Sequence, residues 1–216
     1  MATSKILTAS IADGVLGGGN PTFSSISPSV ITNDATNITI SGANFVTTPY
    51  VDIIKSDTGA ILTATSVTLT NATTLVANFT QTVDGTYFIR VENPNGEAVR
   101  SGSALLTVAD APTWQTTSGS LGSFAGNYSG AITTVTATGA TAYAEVSGTG
   151  LTGSGNANCV LNSGTGAITT TDFGGTGTAG TTYNFTIRAT NSNGLTADRA
   201  FTLTSSYAIT NSGGFN

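Results

Sequence analysis

The sequence predicts an all-β chain folded as two tandem β-sandwiches. Three observations carry this prediction: apolar residues recur at every second position, turn residues punctuate the chain at short intervals, and one turn motif is written twice. The motif is Ile-Arg-x-x-Asn-x-Asn-Gly, as Ile89 to Gly96 and again as Ile187 to Gly194, an offset of 98 residues. A chain of 216 residues holds two ordinary domains of that size.

The elements follow in chain order. Residues 1–20 form an N-terminal arm whose Ile6, Leu7, Ile11, Val15 and Leu16 carry apolar surface that so short a segment cannot bury within itself. "GGGN" at 17–20 then gives reach and freedom of angle. The first sandwich spans 21–109, with Ile38 and Ile40, Val67 and Leu69, and Phe88 and Glu92 flanking Arg90 at period two. Turn stretches "SDTG" at 56–59 and "VDG" at 83–85 separate its strands. The second sandwich spans 110–206 and contains Phe185, Ile187 and Ala189 on one strand face, and residues 207–216 form a C-terminal tail. Thr, Val and Ile dominate the strands, and no helix is expected beyond a turn near the N-terminus. Pro21 and Pro112 open the two sandwiches, Pro28 and Pro49 fall near strand ends, and Pro94 sits in a turn. Each Asn-Gly pair is expected to supply the positive φ angles of a tight hairpin joining the last two strands, which assigns Asn93, Asn95, Gly96, Asn191, Asn193 and Gly194 to structural turns.

Composition narrows the function classes. Charged residues are 8% of the chain and hydrophobic residues 38%, with a mean hydropathy of +0.16, so there is apolar material for two cores. Six Lys and Arg against eleven Asp and Glu, no His and a pI near 4.3 leave no electrostatic footprint for nucleic acid. The apolar runs are strand-length, short of the roughly 20 residues that span a bilayer, so no membrane partner is expected. "MATSKILTASIADGVLGGGN" lacks a sustained apolar core and is not expected to act as a secretory signal. Cys159 is the single cysteine, so stability must come from packing.

Two family resemblances attach to particular residues. "PTFSSISPSVITNDATNITISGANF", with Ile38-x-Ile40-x-Gly42-x-x-Phe45, resembles the opening of an IPT/TIG immunoglobulin-like domain, and residues 85–108 fit its closing strands. In the second half, Asn162-Ser163-x-x-Gly166-x-Ile168 followed by Tyr183-x-Phe185-Thr186-Ile187-Arg188-Ala189-x-Asn191 resembles the immunoglobulin-like (cadherin-like) repeats of bacterial surface and phage virion proteins. "APTWQTTSGSLGSF" at 111–124 is similar to the lead-in of such repeats in structural proteins of marine tailed phages. Between Gly148 and Cys159 the chain departs from the family, which has a Pro-containing loop there. The resemblance implies two tandem immunoglobulin-like β-sandwiches behind a short N-terminal arm, and it implies no reaction.

The motifs that bear chemistry point the same way. Gly175-x-Gly177-x-x-Gly180 matches a dinucleotide fingerprint in spacing alone, because a strand rather than a helix follows it. Without His there is no imidazole metal ligand and no Ser-His or Cys-His nucleophile, and the carboxylates are too scattered for a calcium loop. Glu92 and Glu97 flank the first turn as solvated charges rather than paired acids of a glycosidase, and Cys159 is expected to be a buried small hydrophobe. Arg90 and Arg188 are expected to pair with carboxylates or cover the sheet edge. Trp114 is expected to be buried at the interdomain junction, with a sugar-stacking platform as the alternative. Sequons at Asn37, Asn71, Asn78, Asn127 and Asn184 are expected to arise by chance in so Thr-rich a chain.

These expectations add up to a non-enzymatic structural protein of a tailed-phage virion, with no cofactor, no metal and no catalytic residue. Capsid decoration in many copies is the favoured role, with the major capsid protein or other virion proteins as partners and the arm as the anchor. A tail or neck fibre touching host surface glycans is the alternative, and a bacterial surface adhesin module is a third. The expected location is the virion, assembled in the host cytoplasm.

Overall fold

The computed structural model of the chain describes residues 19–80, 83–146, 150–153, 155–174 and 180–206. Among these residues every regular element is a strand. The chain divides into two compact units, Met1–Asp110 and Ala111–Asn216.

The first unit contains β1 (Thr22–Ser27), β2 (Val30–Ile31), β3 (Thr36–Ala43), β4 (Tyr50–Lys55), β5 (Ile61–Thr63), β6 (Ser66–Asn71), β7 (Thr74–Phe79), β8 (Gly85–Glu92), β9 (Ala98–Arg100) and β10 (Leu106–Val108). One sheet has the order β1-β3-β7-β6, and the other has the order β2-β10-β8-β4-β5, with β9 also pairing β8. This is the immunoglobulin arrangement, and β2 runs parallel to β10 where the opening of the chain switches sheets. The core closes on alternate residues of both sheets, among them Ile38, Ile40, Val51, Ile53, Leu75, Phe79, Ile89 and Val91, all 0% exposed. Tyr87 supplies a tyrosine corner: it is buried near the start of β8, and its Oη donates to the Val83 carbonyl at 2.7 Å.

The pattern Ile38-x-Ile40-x-Gly42-x-x-Phe45 has a steric explanation. Ile38 and Ile40 point into the core from β3, and the Phe45 ring, 1% exposed, folds back beside Gly42. A Cβ on Gly42 would lie 2.0 Å from the Thr22 carbonyl oxygen and 2.6 Å from Phe45 Cζ, so glycine is what lets β1 and the ring approach β3.

The second unit contains β11 (Thr113–Trp114), β12 (Gly119–Ala125), β13 (Gly130–Thr134), β14 (Ala137–Thr138), β15 (Ala142–Glu145), β16 (Cys159–Leu161), β17 (Ala167–Thr170), β18 (Thr182–Thr190) and β19 (Thr196–Ser206). Its sheets are β12-β19-β18-β15 and β13-β17-β16, with a separate β11-β14 pair, and β12 runs parallel to β19 as β2 does to β10. Both units therefore share one strand logic. Here the core is more aromatic: Trp114 meets Tyr143 and Phe201 at centroid distances of 5.9 and 5.5 Å, and Phe173 meets Tyr183 at 5.9 Å.

Trp114 is buried, as expected, and packs into the second unit's core. It is 9% exposed, its indole N–H donates to the Ala197 carbonyl at 3.1 Å, its ring meets Tyr143 and Phe201, and the Arg199 guanidinium lies 6.0 Å from the ring centroid. On β8 the core-facing residues are Tyr87, Ile89 and Val91, and Phe88, Arg90 and Glu92 share the outer face at the period-two spacing read from the sequence.

Candidate functional site

Both repeated turns close with the same bonds. In the first, Gly96 N donates to the Asn93 carbonyl at 2.9 Å and Asn93 N donates to the Glu97 carbonyl at 2.9 Å. In the second, Gly194 N donates to the Asn191 carbonyl at 3.1 Å and Asn191 N to the Leu195 carbonyl at 3.0 Å. Only the glycines have positive φ, 86° and 81°; Asn95 and Asn193 do not. The turn is thus a four-residue turn with Asn first and Gly last, not the pair of left-handed residues expected from Asn-Gly, and Pro94 occupies the second position that such turns favour.

The two leading asparagines are used differently. Asn93 is 0% exposed; its Oδ1 accepts from Val46 N at 3.2 Å and its Nδ2 donates to the Asn44 carbonyl at 2.8 Å, which staples the segment after β3 to the end of β8. Asn191 is only half-buried and keeps its Oδ1 at home, accepting from Asn193 N and Leu195 N, both at 2.9 Å. The sequence does not distinguish these roles, because the partner of Asn93 lies 47 residues away.

The outer face of the sheet β5-β4-β8-β9 gathers paired charges and exposed apolar side chains. Register places Thr63, Asp52, Arg90 and Arg100 in one cross-strand row, Tyr50 and Glu92 in the next, and Ile61, Ile54 and Phe88 on the other side. Arg90 donates to Asp52 Oδ2 at 2.9 Å and also pairs with Glu92, while Thr63 Oγ1 donates to Asp52 Oδ1 at 2.8 Å. The bond from Asp52 is the main cause holding the Arg90 pKa above its ordinary value. Arg100 lays its guanidinium over the Phe88 ring at 4.4 Å. Around this charged strip Tyr50 and Ile61 remain 63% and 64% exposed. The face thus carries a fixed ionic strip with exposed apolar side chains beside it.

In the second unit Arg188 pairs with Asp198, opposite it on β19, at 2.7 and 2.8 Å, and that bond holds the Asp198 carboxyl below the usual range. Arg90 reaches across to β4 and Arg188 to β19, so the equivalent arginines have partners on different strands. Cys159 is 3% exposed, and burial, followed by the nearby Glu145 charge, pushes its thiol up to about 12. Such a thiol is neutral and unreactive. Glu145 itself accepts from Leu151 N at 2.7 Å and Thr152 N at 3.1 Å, which fastens the described part of the stretch between Gly148 and Cys159.

The remaining residues singled out by the sequence are placed as follows. Glu92 is committed to Arg90, and Glu97 is not joined to it by any described bond: its backbone closes the turn, and its N–H donates to Asn95 Oδ1 at 3.1 Å. Among the sequon residues, Asn78 Nδ2 donates to Asn37 Oδ1 at 2.8 Å. Among the described residues no group of three potential ligands could hold a metal ion, and no helix is long and apolar enough to cross a membrane. The arm residues Ile6, Leu7, Ile11, Val15 and Leu16, the tail, and Gly175 and Gly177 lie outside the described residues.

No family model and no curated protein matches the chain. Solved structures with similar folds include the I-band fragment I67-I69 of titin (TM-score 0.41, 13% identity, 86% of this chain and 65% of that one). They also include the protocadherin GammaB4 extracellular domain (0.38, 16%, 86% and 33%) and the fibronectin(III)-like modules of Clostridium thermocellum CbhA (0.37, 13%, 88% and 97%). The chain spans a third of the protocadherin chain and half of a Drosophila N-cadherin EC1-4 chain. The assignment to immunoglobulin-like sandwiches rests on strand order and the tyrosine corner described above.

Proposed function

We propose that the chain is a non-enzymatic structural module of a tailed-phage virion that decorates the capsid in many copies. The observation that carries the structural role is the outer face of β5-β4-β8-β9, where Asp52, Arg90 and Glu92 are locked to one another and Tyr50 and Ile61 stand exposed. Of the groups on which a catalytic role would rest, Glu92 is in an ion pair, Cys159 is a buried neutral thiol, and Glu97 is not joined to Glu92 by any described bond. Support for the virion comes from the sequence of 111–124 and of the repeat that follows it, which resemble phage structural proteins. On a particle, many weak contacts add through avidity. The arm, with Ile6, Leu7, Ile11, Val15 and Leu16, is the anchor to the major capsid protein or another virion protein.

One observation favours a second reading, a tail or neck fibre that touches host glycans: the Tyr50 ring is exposed beside Glu92, and an aromatic face next to a carboxylate suits a sugar. Reconstruction of purified particles separates the two. Paired sandwich densities repeated over the head surface are the expected result, densities at the neck or tail select the fibre, and particles free of the chain overturn both.

A further inference from the structure

The two Asn-Gly turns share sequence and backbone bonds, yet they expose their second asparagine differently. We propose that Asn193 is a site of spontaneous deamidation, and that the fold protects its counterpart Asn95. In this reaction the Gly194 backbone nitrogen attacks Asn193 Cγ and loses its proton. The side-chain amide leaves as ammonia, and a cyclic succinimide forms. Water then opens the ring to aspartate or isoaspartate, with no oxidant or other reactant. Gly194 has no Cβ to obstruct the attack, and neither has Gly96.

The difference between the sites lies in which side chain caps the turn. In the second turn Asn191 Oδ1 accepts from both Asn193 N and Leu195 N. The Asn193 carboxamide is then left exposed, and among the described residues it makes no hydrogen bond of its own. In the first turn Asn93 is buried and spends its side chain on Val46 and Asn44. The capping falls to Asn95, half-buried, whose Oδ1 accepts from Glu97 N at 3.1 Å. Asn95 must break that bond before its Cγ can turn toward the Gly96 nitrogen. Both glycine N–H groups donate within the turn, at 2.9 and 3.1 Å, so this brake acts on both sites and does not separate them. Deamidation of Asn193 adds one carboxylate to a chain of net charge −5, and the isoaspartyl product inserts a methylene into a turn of four residues.

The intact protein is incubated at mildly alkaline pH, and peptides covering each turn are followed by mass spectrometry, with isoaspartate counted by enzymatic methylation. A parallel sample is held unfolded in guanidinium chloride. In the folded protein Asn193 is expected to convert at least about fivefold faster than Asn95, the factor that a single ordinary hydrogen bond is worth. In the unfolded chain the two rates are expected to converge. Equal folded rates, a faster Asn95, or a difference that survives unfolding overturns the proposal.

Discussion

Replacing Gly42 by alanine is expected to destabilise the first unit by about 3 kcal/mol, a large share of a typical domain's total. The new methyl would sit 2.0 Å from the Thr22 carbonyl oxygen, which is backbone held in the β1–β3 ladder, and 2.6 Å from the Phe45 ring, which is buried. Neither neighbour is the free end of a flexible side chain, so β1 or Phe45 must move and core packing is lost. The effect should be confined to one unit. The chain's single tryptophan, Trp114, belongs to the second core, so its fluorescence reports the other transition. Chemical denaturation followed by circular dichroism should show one part of the signal lost early, while the Trp114 transition keeps its midpoint. A coincident shift of both signals would mean that the two units unfold as one.

Gly166→Ala is expected to have the larger effect, about 4 kcal/mol, because backbone strain adds to the collision. Gly166 has φ +72°, and a Cβ there would lie 2.2 Å from the Val135 carbonyl oxygen and 3.3 Å from the Tyr143 ring. Its own carbonyl accepts from Val135 N at 3.0 Å, which locks the β16–β17 turn against the segment between β13 and β14. Cys159 provides the readout. In the folded unit it is buried with a pKa pushed up to about 12, and unfolding removes the burial that causes this. A thiol reagent at pH 8 should therefore label the variant much faster than the parent and the Gly42→Ala protein. Unchanged labelling would show that this turn tolerates a side chain and that the packing described here is wrong.

Much of the fold was legible because period-two patterning depends on burial alone. Ile38, Ile40, Phe185, Ile187 and Ala189 all reach the core. The motif Asn162-Ser163-x-x-Gly166-x-Ile168 also proves to be local physics: Asn162 Oδ1 accepts from Gly164 N and Thr165 N, both at 3.0 Å, Gly166 takes positive φ, and Ile168 is 0% exposed. Features set by distant chain were not legible. Phe88 on the outer face is covered by Arg100, which the β8–β9 pairing brings beside it. Asn93 is buried by the segment at Asn44 to Val46, although in sequence it looks like any solvated turn residue. Trp114 lies near the unit boundary in sequence, but its burial depends on Tyr143 and Phe201. The outer-face ionic cluster needed the registers of β4, β5 and β8, which neither composition nor spacing supplies.

The proposed role makes the sandwiches the displayed part and the arm the attached part. Deleting residues 2–16 removes Ile6, Leu7, Ile11, Val15 and Leu16 while sparing every residue of the two described cores. The deciding measurement is the copy number of that truncated chain in purified particles, set beside its folded state in solution by circular dichroism and Trp114 fluorescence. The account predicts two folded sandwiches in solution and loss of the chain from particles. Incorporation at the full-length level would contradict it and move the attachment to the sandwiches or the tail.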